Sequence, residues 1–452
     1  MNQKISLTKG NPFRVLLLFS IPMILSVTLQ QFYNICDSLI AGKCIGDYAL
    51  AAVSASYPIT MIYLAIGTGF GVGANIICAR YIGQKDVCHA KETVFTSLLT
   101  IGIAAMVIGA VGYLVTPALI RLIQVEDAYY SDAVVYLNYY TIGMLFLFIY
   151  NCVTSLFQAL GNSKIPLYFL IFSTLLNIAL DLFFVLRLAM GVEGIALATF
   201  LAQGIASLCS LGVLLVYVRR YLPGRGKLFN FRILGKILPI AIPSILQASI
   251  ISLGQVFIQA LINSYGADVV AGYGAAYKIC YVIVNIYTTM SNAISTFTSQ
   301  NAGAGEYLRI RRGFQAGLII CGVLTVIATV LFLCIPKPLL SIFGNENTSD
   351  EVVRVGCRFI FCVAPFYVLL CIKIPCDGVL KGSRDMIGFM ISTLADLIVR
   401  VVLSYALAPK MGITGIFIAW PIGWGVGMGL SVGFYLHGRW RRLIGFPDKQ
   451  YQ

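Results

Sequence analysis

FRVLLLFSIPMILSVTLQQFYNICDSLIA, from Phe13 to Ala41, is the stretch that decides the fold. Its 29 residues exceed the roughly 20 that cross a bilayer as a helix, so the segment spans with tilt or a bend. Pro22 marks the place for a bend. It withholds one intrahelical hydrogen bond and crowds the preceding turn, a defect tolerated in membrane helices that flex or repack. Asp37 lies near the far end, with no basic residue three or four positions away to neutralise it on the same helix face. An ionisable side chain inside a span faces a bundle interior or an aqueous cavity and is a functional candidate by default.

Composition extends that reading to the whole chain. Of 452 residues, 59% are hydrophobic and 11% charged, against about 25% charged in soluble globular proteins. The chain is expected to be an all-α, polytopic membrane protein. Its formal charge of +14 sits in short loops between apolar runs, where it sets orientation rather than binding nucleic acid. The 13 cysteines include no CxxC and no zinc-type Cys/His spacing, so they read as small apolar side chains. The first apolar run is too long for a cleavable signal and lacks a small-residue cleavage motif, so it is expected to act as its own insertion signal.

Hydropathy predicts about twelve spans. In the first half they run near Phe13–Ala41, Leu50–Ala79, Thr93–Pro117, Asp132–Leu160, Ile165–Leu188 and Val192–Val218. In the second they run near Ile233–Ser264, Asp268–Ser299, Gly313–Ile335, Val352–Leu380, Met386–Leu407 and Gly412–Leu436. Placing both termini inside assigns about 22 of the 32 basic residues to tails and inner loops and about 7 to the outer side. The chain is thus expected in the plasma (cytoplasmic) membrane with both termini cytoplasmic. The segment Arg219–Lys236 is the strongest inner signal; it reads as an orientation determinant and flexible linker, or as an anionic-lipid site.

An internal repeat of about 220 residues is visible. ARYIGQKD (79–86) matches SQNAGAGE (299–306), and AAVSASYP (51–58) matches AGYGAAYK (271–278). LGNSK (160–164) aligns with KGSRD (381–385), and MGVEGIALAT (190–199) with MGITGIFIAW (411–420). With an even number of spans per half, the halves enter from the same side and form parallel repeats about an axis along the membrane normal. The expected organisation is an N-lobe at 1–218, a basic linker at 219–232 and a C-lobe at 233–452. Two such lobes with a cavity between them suit an alternating-access transporter.

Charges inside the spans separate the halves. Lys373 and Asp377 are four apart, as are Asp396 and Arg400, a spacing that brings side chains together on one helix face. These are expected to be structural charge pairs, with Lys278 near the estimated depth of Asp396. Asp37 and Asp181 instead have no cation within one turn; Lys43 and Arg187 are each six residues further along and point to another face. Asp181 lies roughly 10 to 12 Å from its outer helix end and Thr199 about 10 Å from its own, with Asp37 in a similar layer. Asn177 is one turn inward of Asp181 on the same face, and Asn151 sits deeper on the preceding span. Such an oxygen-rich pocket suits a proton or a small hard cation. The competing reading is a hydrogen-bonded polar knot between helices, which applies most readily to Asn151 and Thr199.

IPMILSVTLQQFYNICDSLIAG (21–42), the glycine run at 69–73, ARYIGQKD, FQALGNSKIPL, NIALDLFFV and MGVEGIALAT together resemble the multidrug and toxic compound extrusion (MATE) transporters over essentially the whole chain. The resemblance implies twelve helices in two six-helix lobes of V-shaped arrangement. It also implies export of amphipathic organic cations by antiport with sodium ions or protons, without a cofactor beyond that coupling ion. It places Asp37 at the first-helix acid, Pro22 at the hinge proline, and Asn177 with Asp181 at the fifth-helix pair. Asn151 and Thr199 match the other N-lobe ligands of the archaeal and DinF-like members, with sodium possible at Asp37, Asn177, Asp181 and Thr199.

One departure concerns the C-lobe. NorM-like members carry acids in the seventh and tenth helices, whereas the seventh here has Gln247, Gln255 and Gln259, and the tenth has Asp377 beside Lys373. The glutamines either face a substrate cavity or pack between helices. A lipid-linked saccharide flippase of the same superfamily is the alternative, kept open by Lys278, and a membrane-embedded enzyme is a remote one, since the only histidines are His89 and His437. The expected partners are an amphipathic cation and membrane lipid, with no nucleic acid and a monomeric transporter.

Overall fold

The computed structural model describes residues 6–40, 47–123, 125, 127–224, 226–341 and 349–446, with the side chains of 33–40 and 47–50 outside the description. Among these residues every regular element is helical. The order is α1 (Pro12–Ile40), α2 (Asp47–Gly83), α3 (Val87–Leu122), α4 (Asp127–Ala159), α5 (Lys164–Leu182), α6 (Val192–Tyr221), α7 (Phe231–Asn263) and α8 (Ala267–Ala304). There follow α9 (Tyr307–Cys334), the short α10 (Pro336–Ser341), α11 (Asp350–Val363), α12 (Tyr367–Gly382), α13 (Met386–Met411), α14 (Ile413–His437) and the short α15 (Arg439–Ile444). Among the described residues, 12 spans are long and apolar enough to cross a membrane. The tenth is α11 and α12 joined by a 3-10 turn at Ala364–Phe366.

Several spans start earlier than hydropathy suggests, because a polar cap rather than an apolar window sets the first turn. The Asp86 carboxylate accepts the His89 amide at 3.0 Å and starts α3 at Val87. Within the spans, hydroxyls satisfy themselves on their own helix: Ser56, Thr93 and Thr116 donate to the carbonyl four residues back at 3.0, 2.7 and 2.8 Å. With backbone and hydroxyls thus bonded internally, α3 and α9 expose Met106, Val107, Val111, Val323, Val326 and Ile327, as lipid-facing surfaces do.

Packing divides the chain into two compact units, Ile21–Ser249 (unit 1) and Ser6–Ser20 with Ile250–Gln452 (unit 2). The first turns of α1 therefore belong to unit 2 and those of α7 to unit 1, which boundaries at 218 and 233 do not capture. Inside unit 1, a Cβ on Gly69 would lie 2.7 Å from Ile245 and one on Gly73 3.0 Å from Ala241, so these glycines let α2 and α7 approach backbone to backbone. Inside unit 2, Gly378 does the same for α12 on α8, where a Cβ would stand 2.7 Å from Ile294.

Both segments that lead into these crossing helices are tied down. In unit 2 the Arg309 guanidinium donates to the carbonyls of Leu7 (3.2 Å), Lys9 (2.9 Å) and Gly10 (2.6 Å). In unit 1 the buried Glu92 carboxylate accepts the Lys227 amide at 3.0 Å and the Asn230 side-chain amide at 2.6 Å, while Lys91 donates to the Gly224 carbonyl at 2.8 Å. The basic linker, expected to be flexible, is bonded to the start of α3 instead.

The repeat can be registered by its turns. Lys85 (φ 59°) and Gly305 (φ 74°) hold matching left-handed positions before α3 and α9, as the ARYIGQKD and SQNAGAGE match predicts. The LGNSK and KGSRD alignment, however, is two residues out. Asn162 caps the Ile165 amide at 3.3 Å and Asp385 caps the Gly388 amide at 3.3 Å, each one residue after a left-handed Gly161 (φ 77°) or Arg384 (φ 70°). Asn162 thus corresponds to Asp385, a shift of 223, whereas Gly191 and Gly412, which accept the Gly194 and Gly415 amides at 3.0 Å, differ by 221. The two extra residues of the first half fall after α5, where the helix passes into a π turn at Phe183–Arg187 and Ala189 turns left-handed (φ 50°), while α13 runs on to Met411.

Candidate ion-coupling site

Unit 1 gathers the first-half polar residues on α5 and α6. Asn177 and Asp181 stand one turn apart on α5 and are buried, at 1% and 0% exposure, on a helix that otherwise turns apolar side chains outward. The Asn177 amide donates to the Thr199 hydroxyl on α6 at 3.4 Å, and Thr199 is buried as well. Directly after Asp181 comes the π turn, where the Leu188 amide reaches the Phe183 carbonyl at 3.3 Å. Such single π turns widen a helix locally and recur at functional positions. Asn151 on α4 donates its amide along its own helix to the Leu147 carbonyl at 2.8 Å. Pro22 is buried in α1, which continues through it, and its carbonyl accepts the Ser26 hydroxyl at 2.8 Å. The Asp37 side chain lies outside the described residues, so the carboxylate pair with Asp181 is not placed.

The hydropathy reading missed an aromatic cleft that reaches Thr199. The cleft lies between α4 and α6 and is lined by Tyr136, Tyr139, Tyr140, Thr199, Phe200 and Gln203 among others. Tyr139 donates its hydroxyl to Glu193 at 2.7 Å, and Tyr140 stacks between Tyr63 and Tyr136 at 6.5 and 6.4 Å. The signal was the run YLNYY at 136–140, unusually polar at its ring tips for a span.

Unit 2 holds a different arrangement. Lys373 and Asp377 on α12 form a buried ion pair at 2.6 Å, and Ser431 on α14 donates to the other Asp377 oxygen at 2.6 Å. Lys381, one turn on, donates to Asn292 on α8 at 2.8 Å. Asp396 and Arg400 on α13 are buried too, but they do not make the ion pair their spacing suggested. The guanidinium turns instead to the indole of Trp420 on α14, 4.3 Å from its ring centroid, while Asp396 faces the glycines of the same helix. Asp396 Oδ1 and Arg400 Nε have no hydrogen-bond partner. Lys278 is exposed on α8. Gln247 falls in unit 1 and Gln255 and Gln259 in unit 2, all half-buried, with Gln259 donating to Asn263 at 2.8 Å. Among the described residues no three His, Cys, Asp or Glu side chains converge on a metal-sized point, and the 11 described cysteines are unlinked.

Twelve spans among the described residues, in two repeated halves with buried charge in each, make this a polytopic integral membrane protein, and the family its sequence matches is one of transporters rather than enzymes. The chain belongs to the MatE family, whose sequence model matches residues 22–183 and 243–406, one segment in each half. It is 28% identical over 98% of its length, and 99% of the relative's, to the "Probable multidrug resistance protein YpnP" of Bacillus subtilis. It is 24% identical over 90% of its length, and 91% of the relative's, to the "FAD transporter" of Shewanella oneidensis. In fold it superposes on a crystal structure of a MATE transporter in complex with MaL6, with a TM-score of 0.91 at 22% identity and 99% coverage of both chains.

Proposed function

We propose that this transporter is a multidrug exporter that carries amphipathic organic cations outward in exchange for protons or sodium ions, by alternating access. The observation that carries the reading is the buried Asn177, Asp181 and Thr199 group beside the π turn of α5, a carboxylate set among neutral oxygens inside a membrane span. Asp37, the other first-half acid without a cation within one helical turn, and Asn151 are assigned to the same coupling site. Carboxylates close together in a low-dielectric interior resist being charged at once, so a proton or a metal cation between them is the natural occupant. That makes proton and sodium coupling variants of one mechanism, in which ion occupancy shifts the balance of inward-open and outward-open forms.

Pro22 serves as the hinge through which the state of the site reaches α1, and Gln247, Gln255 and Gln259 offer hydrogen bonds to the substrate. Both termini lie on the cytoplasmic side, as the distribution of basic residues supports. The multidrug names of the relatives support the substrate class. A second reading, transport of an anionic amphiphile, is favoured by the buried cations Lys373, Lys381 and Arg400 of unit 2 and by the flavin nucleotide carried by one relative. Reconstituted protein under separately imposed pH and sodium gradients tests both. Efflux of a fluorescent organic cation driven by one of these gradients supports the first reading, and gradient-driven movement of a flavin nucleotide with none of the cation overturns it.

A further inference from the structure

The two units carry a polar site and its charge-inverted counterpart at matched positions. With Asn162 set on Asp385 and Gly191 on Gly412, Asn177 falls on Arg400, Asp181 on Ser404 and Thr199 on Trp420. The bond that links α5 to α6 in unit 1, amide to hydroxyl at 3.4 Å, is replaced between α13 and α14 by a guanidinium stacked on an indole at 4.3 Å. The acid of unit 1 is replaced by Ser404, whose hydroxyl is spent on the Arg400 carbonyl at 2.7 Å. All six side chains are buried.

We propose that Arg400 is a resident cation, filling in unit 2 the place that the coupling ion takes in unit 1, so that the transporter binds its coupling ion in one unit only. This rests on the reading of unit 1 as the coupling unit. The surroundings of Arg400 fit a fixed charge rather than an exchangeable one. Trp420 presents a π face, which attracts a cation without a counter-charge. Asp396 lies one turn away; on α12 Lys373 is already paired with Asp377 and the buried Lys381 is turned to Asn292, which leaves Arg400 as the cation that balances Asp396. α14 packs closely on this acid: a Cβ on Gly423 would meet Asp396 Oδ1 at 2.9 Å, and one on Gly427 would meet the Asp396 Cβ and the Lys373 Cε at 2.9 Å each. Removing the guanidinium would free its own volume and leave Asp396 without its balancing cation, which is the composition of a cation site.

The test counts cations on purified, folded protein, by sodium-22 binding and by proton uptake on titration from about pH 9 to about pH 5. Arg400→Gln is expected to gain one cation equivalent over wild type, Arg400→Lys to gain none, and the neutral double variant Asp396→Asn/Arg400→Gln to return to the wild-type count. An unchanged count in Arg400→Gln overturns the proposal. Should Arg400→Gln fail to fold, the neutral double variant decides: it is expected to keep the wild-type number of ions per substrate in proteoliposomes, and a lower number overturns the proposal. The unit 1 reading fails separately, by an undiminished count in Asp181→Asn. The gain from Arg400→Gln is then measured in that background, where its presence or absence decides with the same sense.

Discussion

The Asn177 amide on α5 reaches the Thr199 hydroxyl on α6 across 3.4 Å, with both side chains buried and Asp181 one turn further along the same helix face. This contact holds the two helices in register at the depth of the acid. A neutral hydrogen bond of this kind contributes about 1 kcal/mol, while a ligand oxygen lost from an ion site costs more in affinity than in stability.

Thr199→Val is therefore expected to leave the unfolding temperature in detergent within a few degrees of wild type and to weaken the apparent affinity for the coupling ion about tenfold. Thr199→Ser should retain both. Transport rates in proteoliposomes over a range of ion concentrations give the affinity; equal values for Val and Thr would assign Thr199 to packing alone.

In unit 2 the buried Lys373–Asp377 pair, with Ser431 on the second oxygen, makes single and double substitutions unequal. Lys373→Met strands the Asp377 charge and is expected to cost about 3 to 5 kcal/mol. Lys373→Met with Asp377→Leu removes both charges and should be milder. Thermal unfolding of the single and double variants measures the difference, and a double variant less stable than Lys373→Met would mean that the pair stabilises the unit outright.

Two of the bonds that hold the linker before α7 end on one acid. Glu92→Ala removes the acceptor of both the Lys227 amide and the Asn230 side chain, so proteolysis between Arg219 and Arg232 is expected to quicken about tenfold at equal overall stability. Limited trypsin digestion followed by mass spectrometry reads this directly. Cleavage at the wild-type rate would show that the Lys91 contact to Gly224 suffices.

Much of the fold was legible in the sequence, and its limits have physical reasons. Apolar runs long enough to span a bilayer mark the helices whatever their partners, so the spans followed from hydropathy. Helix starts did not, because a capping side chain such as Asp86 extends a helix beyond its apolar part. The pairing of Asp396 with Arg400 failed for a related reason: spacing along one helix says which side chains can meet, but the indole of Trp420 on the next helix competes for the guanidinium. The register of α5 against α13 was hidden because the left-handed position moves from Gly161 to Arg384, so aligning glycine with glycine misplaces the turn. Depth along the helices sets Asp181 and Thr199 in one layer with Asn177 one turn inward, whereas the tyrosine cleft beside them depends on how α4 packs on α6.

Pro22 is buried within a continuous α1. If it is the hinge, Pro22→Ala should lower transport turnover about tenfold or more while leaving substrate affinity within about twofold, since the proposed substrate contacts are the glutamines of α7. Parallel binding and transport assays separate these quantities, and normal turnover in the variant would remove Pro22 from the mechanism.

The coupling role of the unit 1 acids is tested most directly by efflux of an organic cation from proteoliposomes containing Asp37→Asn or Asp181→Asn protein. Each variant is expected to lose gradient-driven efflux completely while still binding the cation without a gradient. Efflux against a substrate gradient at the wild-type rate in both variants would contradict the assignment.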